Sequence, residues 1–385
     1  MIPYGRQSVS GSDIEAVVEI LRSDWLTQGP AVPRFERAVA TRVGVKHAVA
    51  VNSATSALHI ACLALGLGPG DRLWTSPNTF VATANCALYC GATVDFVDID
   101  PHTYNISVDA LAEKLAYAEK AETLPKIVAP VHFAGHSCDM ARIRELASRY
   151  GFKIVEDASH AIGGRYRDMP VGNCAYCDIA VFSFHPVKII TSGEGGMALT
   201  NDATLAERMH RLRTHGITRE VDQLQGPREG PWYYEQLDLG FNYRMTDIQA
   251  ALGLSQLVRI DEFIAARSEI ARIYDEALRE LPLLRPTVQP DTKSAFHLYV
   301  VQVDSDRTSI SRERLFEQLR VAGIGVNVHY IPVYWQPYYK RLGFSPQLCP
   351  EAERYYTRAI SLPMYAALTA RDRDYVVGVL RDKLT

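Results

Sequence analysis

The chain has 385 residues, 47% of them apolar, and a formal net charge of −3. That length and apolar content suffice for a large α/β domain with a smaller companion. Charges of both signs are interspersed and no apolar run approaches the roughly 20 residues that span a bilayer, so neither nucleic acid nor a membrane is expected as a partner.

Short β-branched runs alternate with helical periodicity. Strands are predicted at 48–52, 72–75, 93–98, 126–131, 153–157, 179–184 and 196–200, with helices at 55–66, 80–90, 107–118 and 139–150 between them. Such alternation predicts an α/β fold built on a mostly parallel seven-stranded sheet with helices on both faces. Beyond residue 203 the pattern turns helical and includes a long connector over 259–280. Strands at 297–303 and 325–330, with helices at 311–321 and 370–383, then predict a smaller C-terminal α+β domain. The expected division is a large domain over 1–258, including the N-terminal segment, and the connector helix with the small domain over 259–385.

Seven cysteines, an odd number in a chain without a secretory pattern, read as reduced thiols, and a cytoplasmic location is expected. Cys174 and Cys177 form a lone CxxC that leads into a strand, which suits neither a zinc site nor a redox motif. His132 and His136 stand four apart in a Gly-containing loop after a strand, and no metal is expected there.

In an open α/β sheet, ligands sit beyond the carboxyl ends of the parallel strands. Three predicted strand ends carry unusual chemistry. Strand 48–52 runs into Ser53, Ala54, Thr55 and Ser56 at a helix start, where free N–H groups and hydroxyls suit a phosphate or serve as an ordinary cap. Strand 153–157 ends in Glu156 and Asp157; an acid leaving a buried strand needs a cationic partner, unless it merely caps a helix. Strand 179–184 brings Ser183 and then Lys188, an amine among apolar residues (VFSFHPVKII), followed by the turn SGEGG. Desolvation lowers the pKa of such an amine and favours its attack on an aldehyde.

A phosphate cup, a buried acid and an activated lysine together match pyridoxal 5'-phosphate. Its phosphate would lie on the helix start, its ring nitrogen on Asp157, and its aldehyde carbon would be covalently bound to Lys188. Phe80, at another helix start, is placed to stack on the ring, although such an aromatic equally suits the core. The glycine cluster GLGPGD at 66–71 precedes a strand and so is no dinucleotide fingerprint, and no Walker A or GxSxG sequence occurs.

The ordered segments NSATSAL, VEDASHAIGG, FSFHPVKIITSGEGG and GFNYRMTDIQAALGLSQL resemble the DegT/DnrJ/EryC1/StrS family of sugar aminotransferases, and the likeness extends over nearly the whole chain. The resemblance implies the PLP-dependent transferase fold of type I, the aspartate aminotransferase type, in a homodimer with active sites at the subunit boundary. It implies Lys188 and Asp157 as catalytic residues, His160 beside the cofactor's ring hydroxyl, and Ala54, Thr55, Ser56 and Ser183 around its phosphate. Asn242 would reach the phosphate of the neighbouring subunit's cofactor. Some relatives carry histidine in place of the lysine and act as dehydratases, so Lys188 favours transamination.

Within the family, the segments TSPNTFVATANCALYCGATVDFVDIDPHTYNI, VHFAGHSCDM and NVHYIPVYWQPYY are similar to the transaminases of pseudaminic acid biosynthesis. That likeness implies L-glutamate as donor and a UDP-linked 4-keto-6-deoxy-N-acetylhexosamine as acceptor. The implied sugar-nucleotide contacts are Tyr4, the run Asp24, Trp25, Leu26 and Thr27, and the run Asn327, Val328, His329 and Tyr330. Arg244 is a candidate partner of the diphosphate or, equally, of a structural ion pair. Two alternatives stay open: a C3 or C4 aminotransferase for a dTDP- or GDP-linked keto sugar, and a non-catalytic PLP-binding regulator.

Overall fold

The alternating runs pair into one central sheet in a computed structural model that describes residues 1–384. β1 (His47–Val51), β2 (Arg72–Thr75), β3 (Thr93–Phe96), β4 (Ile127–Ala129) and β5 (Lys153–Asp157) come first. A short ribbon, β6 (Arg165–Tyr166) and β7 (Met169–Pro170), precedes β8 (Ile179–Ser183) and β9 (Gly196–Thr200). The seven-stranded sheet has the order β1-β9-β8-β5-β4-β2-β3; β9 is antiparallel to β1 and β8, and the other pairs are parallel.

Successive side chains enter opposite layers. Val155, Ile179 and Val181 join Leu58 and Ile60 in one core, whereas Ile154, Ala180 and Phe182 join Phe35 and Phe263 in the other. Strands covered on both faces need apolar residues at every position, which is why they read as unbroken runs.

The covering helices are α1 (Gly11–Arg22), α2 (Ala31–Val43), α3 (Ala54–Ala64), α4 (Val81–Tyr89), α5 (Val108–Lys120), α6 (Met140–Tyr150) and α7 (Ala203–Arg213). A ribbon of β10 (Ile217–Thr218) and β11 (Glu235–Gln236) leads to α8 (Asp247–Val258), which Thr246 and Gln249 open with a reciprocal capping box. The predicted connector follows as α9 (Ile260–Ala277).

Beyond it, β12 (Leu283–Leu284), β14 (Tyr299–Val303) and β15 (Ala359–Leu362) form an antiparallel sheet, while β13 (Thr292–Lys293) returns to pair with β6. With α10 (Arg312–Val321), α11 (Pro337–Arg341), α12 (Pro350–Arg358) and α13 (Ala370–Leu384), this sheet belongs to a region with its own core of Tyr274, Tyr299, Leu315, Leu319 and Val376.

The segment 325–330 is not the strand its β-branched residues suggest. Its backbone is taken up piecemeal: the Gly325 amide donates to Ile2 O at 2.6 Å, and Asn327 exchanges a single bridge with Ser361 before a cis His329–Tyr330 peptide. The third strand of the small sheet is β15, which pairs Leu362 with Tyr299. Through Ile2, and through Tyr4 O, which accepts from the Met364 amide at 2.9 Å, the N-terminal residues pack onto this C-terminal region. Among the described residues no helix is long and apolar enough to cross a membrane. All seven cysteines are buried and unpaired, and Cys174 Sγ lies 3.2 Å from Leu199 O in the core.

Candidate active site

β5 ends on Asp157, which is 4% exposed. Its Oδ2 accepts from Thr83 Oγ1 at 2.6 Å and its Oδ1 from the Ser159 amide at 3.1 Å. Thr83 lies on α4 and shares a 2.8 Å hydrogen bond with Thr79. Neither threonine was legible as a site residue, because a threonine in or just before a helix's first turn carries no signal of its own.

β8 ends on Ser183, and the chain then leaves the sheet. The Phe184 amide donates to Gly195 O at 2.9 Å and the Ser192 amide to Phe184 O at 3.0 Å, which pinches residues 185–191 into an excursion that holds Lys188. Gly193, at φ +83°, turns the chain back toward β9. Lys188 is half-buried. Desolvation lowers its pKa to about 8, with the Asp157 carboxylate pulling the other way.

Glu156 projects from the opposite side of β5. Its carboxylate lies 2.9 Å from His132 Nε2, and both side chains are buried. Burial opposes a charge on this histidine, but the facing Glu156 carboxylate draws its pKa up to about 10; burial likewise opposes Glu156, whose pKa the His132 charge lowers. His136 Nε2 instead meets Thr292 Oγ1 at 3.2 Å. The two histidines thus serve different partners.

The amino end of α3 lies against β9. Ser53 caps the helix, its Oγ accepting from the Ser56 amide at 3.1 Å, and Ser56 Oγ donates to Asn52 Oδ1 at 2.7 Å. The amides of Ala54 and Thr55, in the first turn, have no intrahelical acceptor. Gly196 stands opposite Ser183 in the β8–β9 pairing, and a Cβ on it would lie 2.4 Å from Ala54 N. That close approach sets Ser183 beside the helix end, where N–H groups, hydroxyls and the helix dipole favour an anion.

A wall of rings surrounds the amine and acid. His160 Nδ1 accepts from the Ala134 amide at 3.3 Å, which assigns the ring proton to Nε2, 3.3 Å from Tyr330 Oη. His297 packs against His160 with centroids 4.4 Å apart, and His329 lies 5.5 Å from Tyr4 and donates or accepts through Nδ1 at 2.7 Å from Ser361 Oγ. Burial, aided by the charge of Lys188, lowers the pKa of His160 and of His329, the latter to about 3; burial and the neighbouring His160 lower that of His297. The wall is therefore uncharged near neutrality. Tyr330 is held by its amide, which donates to Asn78 Oδ1 at 3.1 Å, and Val328 by its amide on Asn327 Oδ1 at 2.9 Å. His297 and Asn78 went unread in the sequence, lying within a predicted strand and loop respectively.

Phe80 caps α4 one turn ahead of Thr83 and is 59% exposed, an aromatic ring left uncovered at the start of that helix. The remaining predicted contacts form a second group. The Arg244 backbone bridges Val51 at the end of β1, Tyr243 O accepts from the Asn52 amide at 2.8 Å, and Thr246 bridges Thr27. Asp247, buried, accepts from the amides of Gly29 and Ala31 at 2.7 Å and so ties down the strip containing the exposed Asp24, Trp25, Leu26 and Thr27. Among the described residues no hydrogen bond joins this strip to Lys188 or Asp157. Asn242 is exposed, its backbone bridged to Thr214.

A desolvated lysine, a fixed carboxylate, an anion-receiving helix end and an uncovered ring are the fittings of a pyridoxal phosphate site on a mostly parallel sheet. They place the protein among the PLP-dependent aminotransferases of fold type I. Residues 7–381 match the DegT/DnrJ/EryC1/StrS aminotransferase family, and the chain belongs to it. The spore coat polysaccharide biosynthesis protein SpsC of Bacillus subtilis (strain 168) is 42% identical over 384 residues, 99% of this chain and 96% of its own. Among solved structures, Helicobacter pylori PseC, an aminotransferase involved in the biosynthesis of pseudoaminic acid, superposes with a TM-score of 0.91 at 32% identity, covering 100% of this chain and 99% of its own. Spr1654 of Streptococcus pneumoniae, 29% identical and covered in full, matches in its PLP form with a TM-score of 0.87 and in its PMP form with 0.89.

Proposed function

We propose that this aminotransferase moves the amino group of L-glutamate to C4 of a UDP-linked 4-keto-6-deoxy-N-acetylhexosamine. The observation that carries the acceptor is the full-length likeness to PseC. Bound pyridoxal phosphate supplies an electron sink for the carbon that loses a proton.

The chain's own residues do the rest. Lys188 holds the cofactor covalently and, once displaced, carries the proton at the donor's α-carbon. Asp157, fixed by Thr83 and the Ser159 amide, accepts from the ring N–H and keeps it protonated. His160, whose Nε2 stands 3.3 Å from Tyr330 Oη, neighbours the ring hydroxyl, Phe80 covers a ring face, and the α3 end with Ser183 receives the phosphate. In a homodimer the exposed Asn242 extends to the neighbouring subunit's phosphate. Tyr4, Asn327, Val328, His329 and Tyr330 meet the sugar nucleotide, as do the strip Asp24 to Thr27 and Arg244. Seven unpaired thiols suit a reducing, cytoplasmic setting.

The higher identity to SpsC favours a second reading, in which the acceptor is another nucleotide-linked keto sugar destined for a polysaccharide. Incubating the holoenzyme with glutamate and matched UDP-, dTDP- and GDP-linked 4-keto sugars, with mass spectrometry of the products, separates the two. Amination of the UDP sugar alone is expected. Amination only of a dTDP or GDP sugar replaces the first reading by the second.

A further inference from the structure

A cavity of about 720 Å³ opens between the loop at Pro101–Tyr104, the end of α9, β12 and α12. It shares no lining residue with the site of Lys188, and its volume lies in the range of small-molecule pockets, roughly 300–1,000 Å³.

Its lining is strongly cationic. Arg279, Arg285, Arg307, Arg354 and Arg358 face only two carboxylates, Asp275 and Glu351, in a chain whose net charge is −3. Several of these groups are already oriented. Arg285 donates to Asp275 O at 2.5 Å, and Arg307 donates to Leu281 O and Glu280 O, each at 3.0 Å. Glu351 is taken by Arg354 at 2.9 Å, and Asp275 Oδ1 accepts from Tyr299 Oη at 2.6 Å. The guanidinium groups of Arg279 and Arg358 have no hydrogen-bond or ion-pair partner among the described residues. Below them the wall is neutral and polar, with Gln302 6% and Tyr104 4% exposed.

Two uncommitted guanidinium groups beside two anchored ones make a fork array suited to the oxygens of a diphosphate. We propose that this cavity is a second ligand site, which takes a small anion bearing a diphosphate group. Tyr355 also lines the cavity and donates through Oη to His329 O at 2.8 Å, so its back wall is the back wall of the ring cluster around His160.

The test is calorimetric titration of the PLP-loaded protein with inorganic pyrophosphate, beside the double variant Arg279→Ala/Arg358→Ala. Loading fills the phosphate position at α3. Wild type is expected to bind pyrophosphate with an affinity that falls as salt rises, and the double variant to bind at least about tenfold more weakly while keeping its transamination rate in pyrophosphate-free buffer. Should the double variant not fold, the single Arg279→Glu change on an exposed side chain carries the same expectation. Equal binding by wild type and folded variant, or no wild-type binding at millimolar pyrophosphate, overturns the proposal.

Discussion

A lysine whose pKa stands at about 8 is mostly protonated at pH 7 and mostly neutral at pH 9. Capture of pyridoxal phosphate by the cofactor-free protein should therefore speed up through pH 8 and level off above it, which stopped-flow absorbance over pH 6.5–9.5 would read. A pH-independent rate would show that the amine is not the limiting group. Lys188→Ala should lower turnover by about 10⁴-fold or more and abolish the glutamate-driven change in the visible spectrum. Thr83 has a subtler part. Removing its hydroxyl deprives a buried carboxylate of a 2.6 Å donor, a charge-assisted bond worth about 1.5–3 kcal/mol. Thr83→Val should slow turnover about tenfold or more, and Thr83→Ser should restore it; equal rates in valine and serine variants would assign Thr83 to packing alone.

Among the elements, β9 and α3 are bound by a contact that tolerates no side chain. In Gly196→Ala the new Cβ meets Ala54 N at 2.4 Å and Ser53 C at 2.5 Å, backbone atoms that cannot swing aside. Overpacking of this kind costs about 1–3 kcal/mol. Gly196→Ala should lower both the melting temperature and the affinity for the cofactor, whereas Gly193→Ala, with open space around its Cβ but φ +83°, should lower stability with little change in affinity. Strands 153–157, 179–183 and 196–200 were legible because burial on both faces demands apolar runs. The strand ends were legible as a site because Asp157 and Lys188 contradict that demand. The segment 325–330 misled because β-branched residues report fit to a buried pleat, not which neighbour supplies the hydrogen bonds. Glu156 was readable as needing a cation, but its donor, His132, lies across a parallel crossover that no local pattern encodes.

Over the whole molecule, buried histidines set the response to acid. Burial lowers the pKa of His136 to about 4 and, with neighbouring cations, that of His210 and His329 to about 3, while His160 and His297 also fall well below the ordinary 6.5. The unfolded chain takes up these protons as pH drops past 6.5 and the folded chain does not. Their contribution is full above 6.5 and drains toward pH 4 and then 3. His132 behaves oppositely: its raised pKa contributes fully below 6.5 and is lost as pH climbs through 10. Its partner Glu156, held low, contributes above 4.5 and loses that contribution in stronger acid. Melting temperature should thus be highest near pH 6.5, fall steeply below it, and decline gradually above it as the His132 contribution is lost; a curve level down to pH 5 would contradict it. The seven interior thiols give the experimenter something further. Cys90, 8% exposed and with its pKa drawn down to about 6 by a hydrogen bond with Cys62, is the thiol an aqueous sulfhydryl reagent should reach first, and uptake by the other six clocks opening events. With Cys90→Ser in place, a single cysteine engineered onto the surface would then accept a fluorophore on a quiet background.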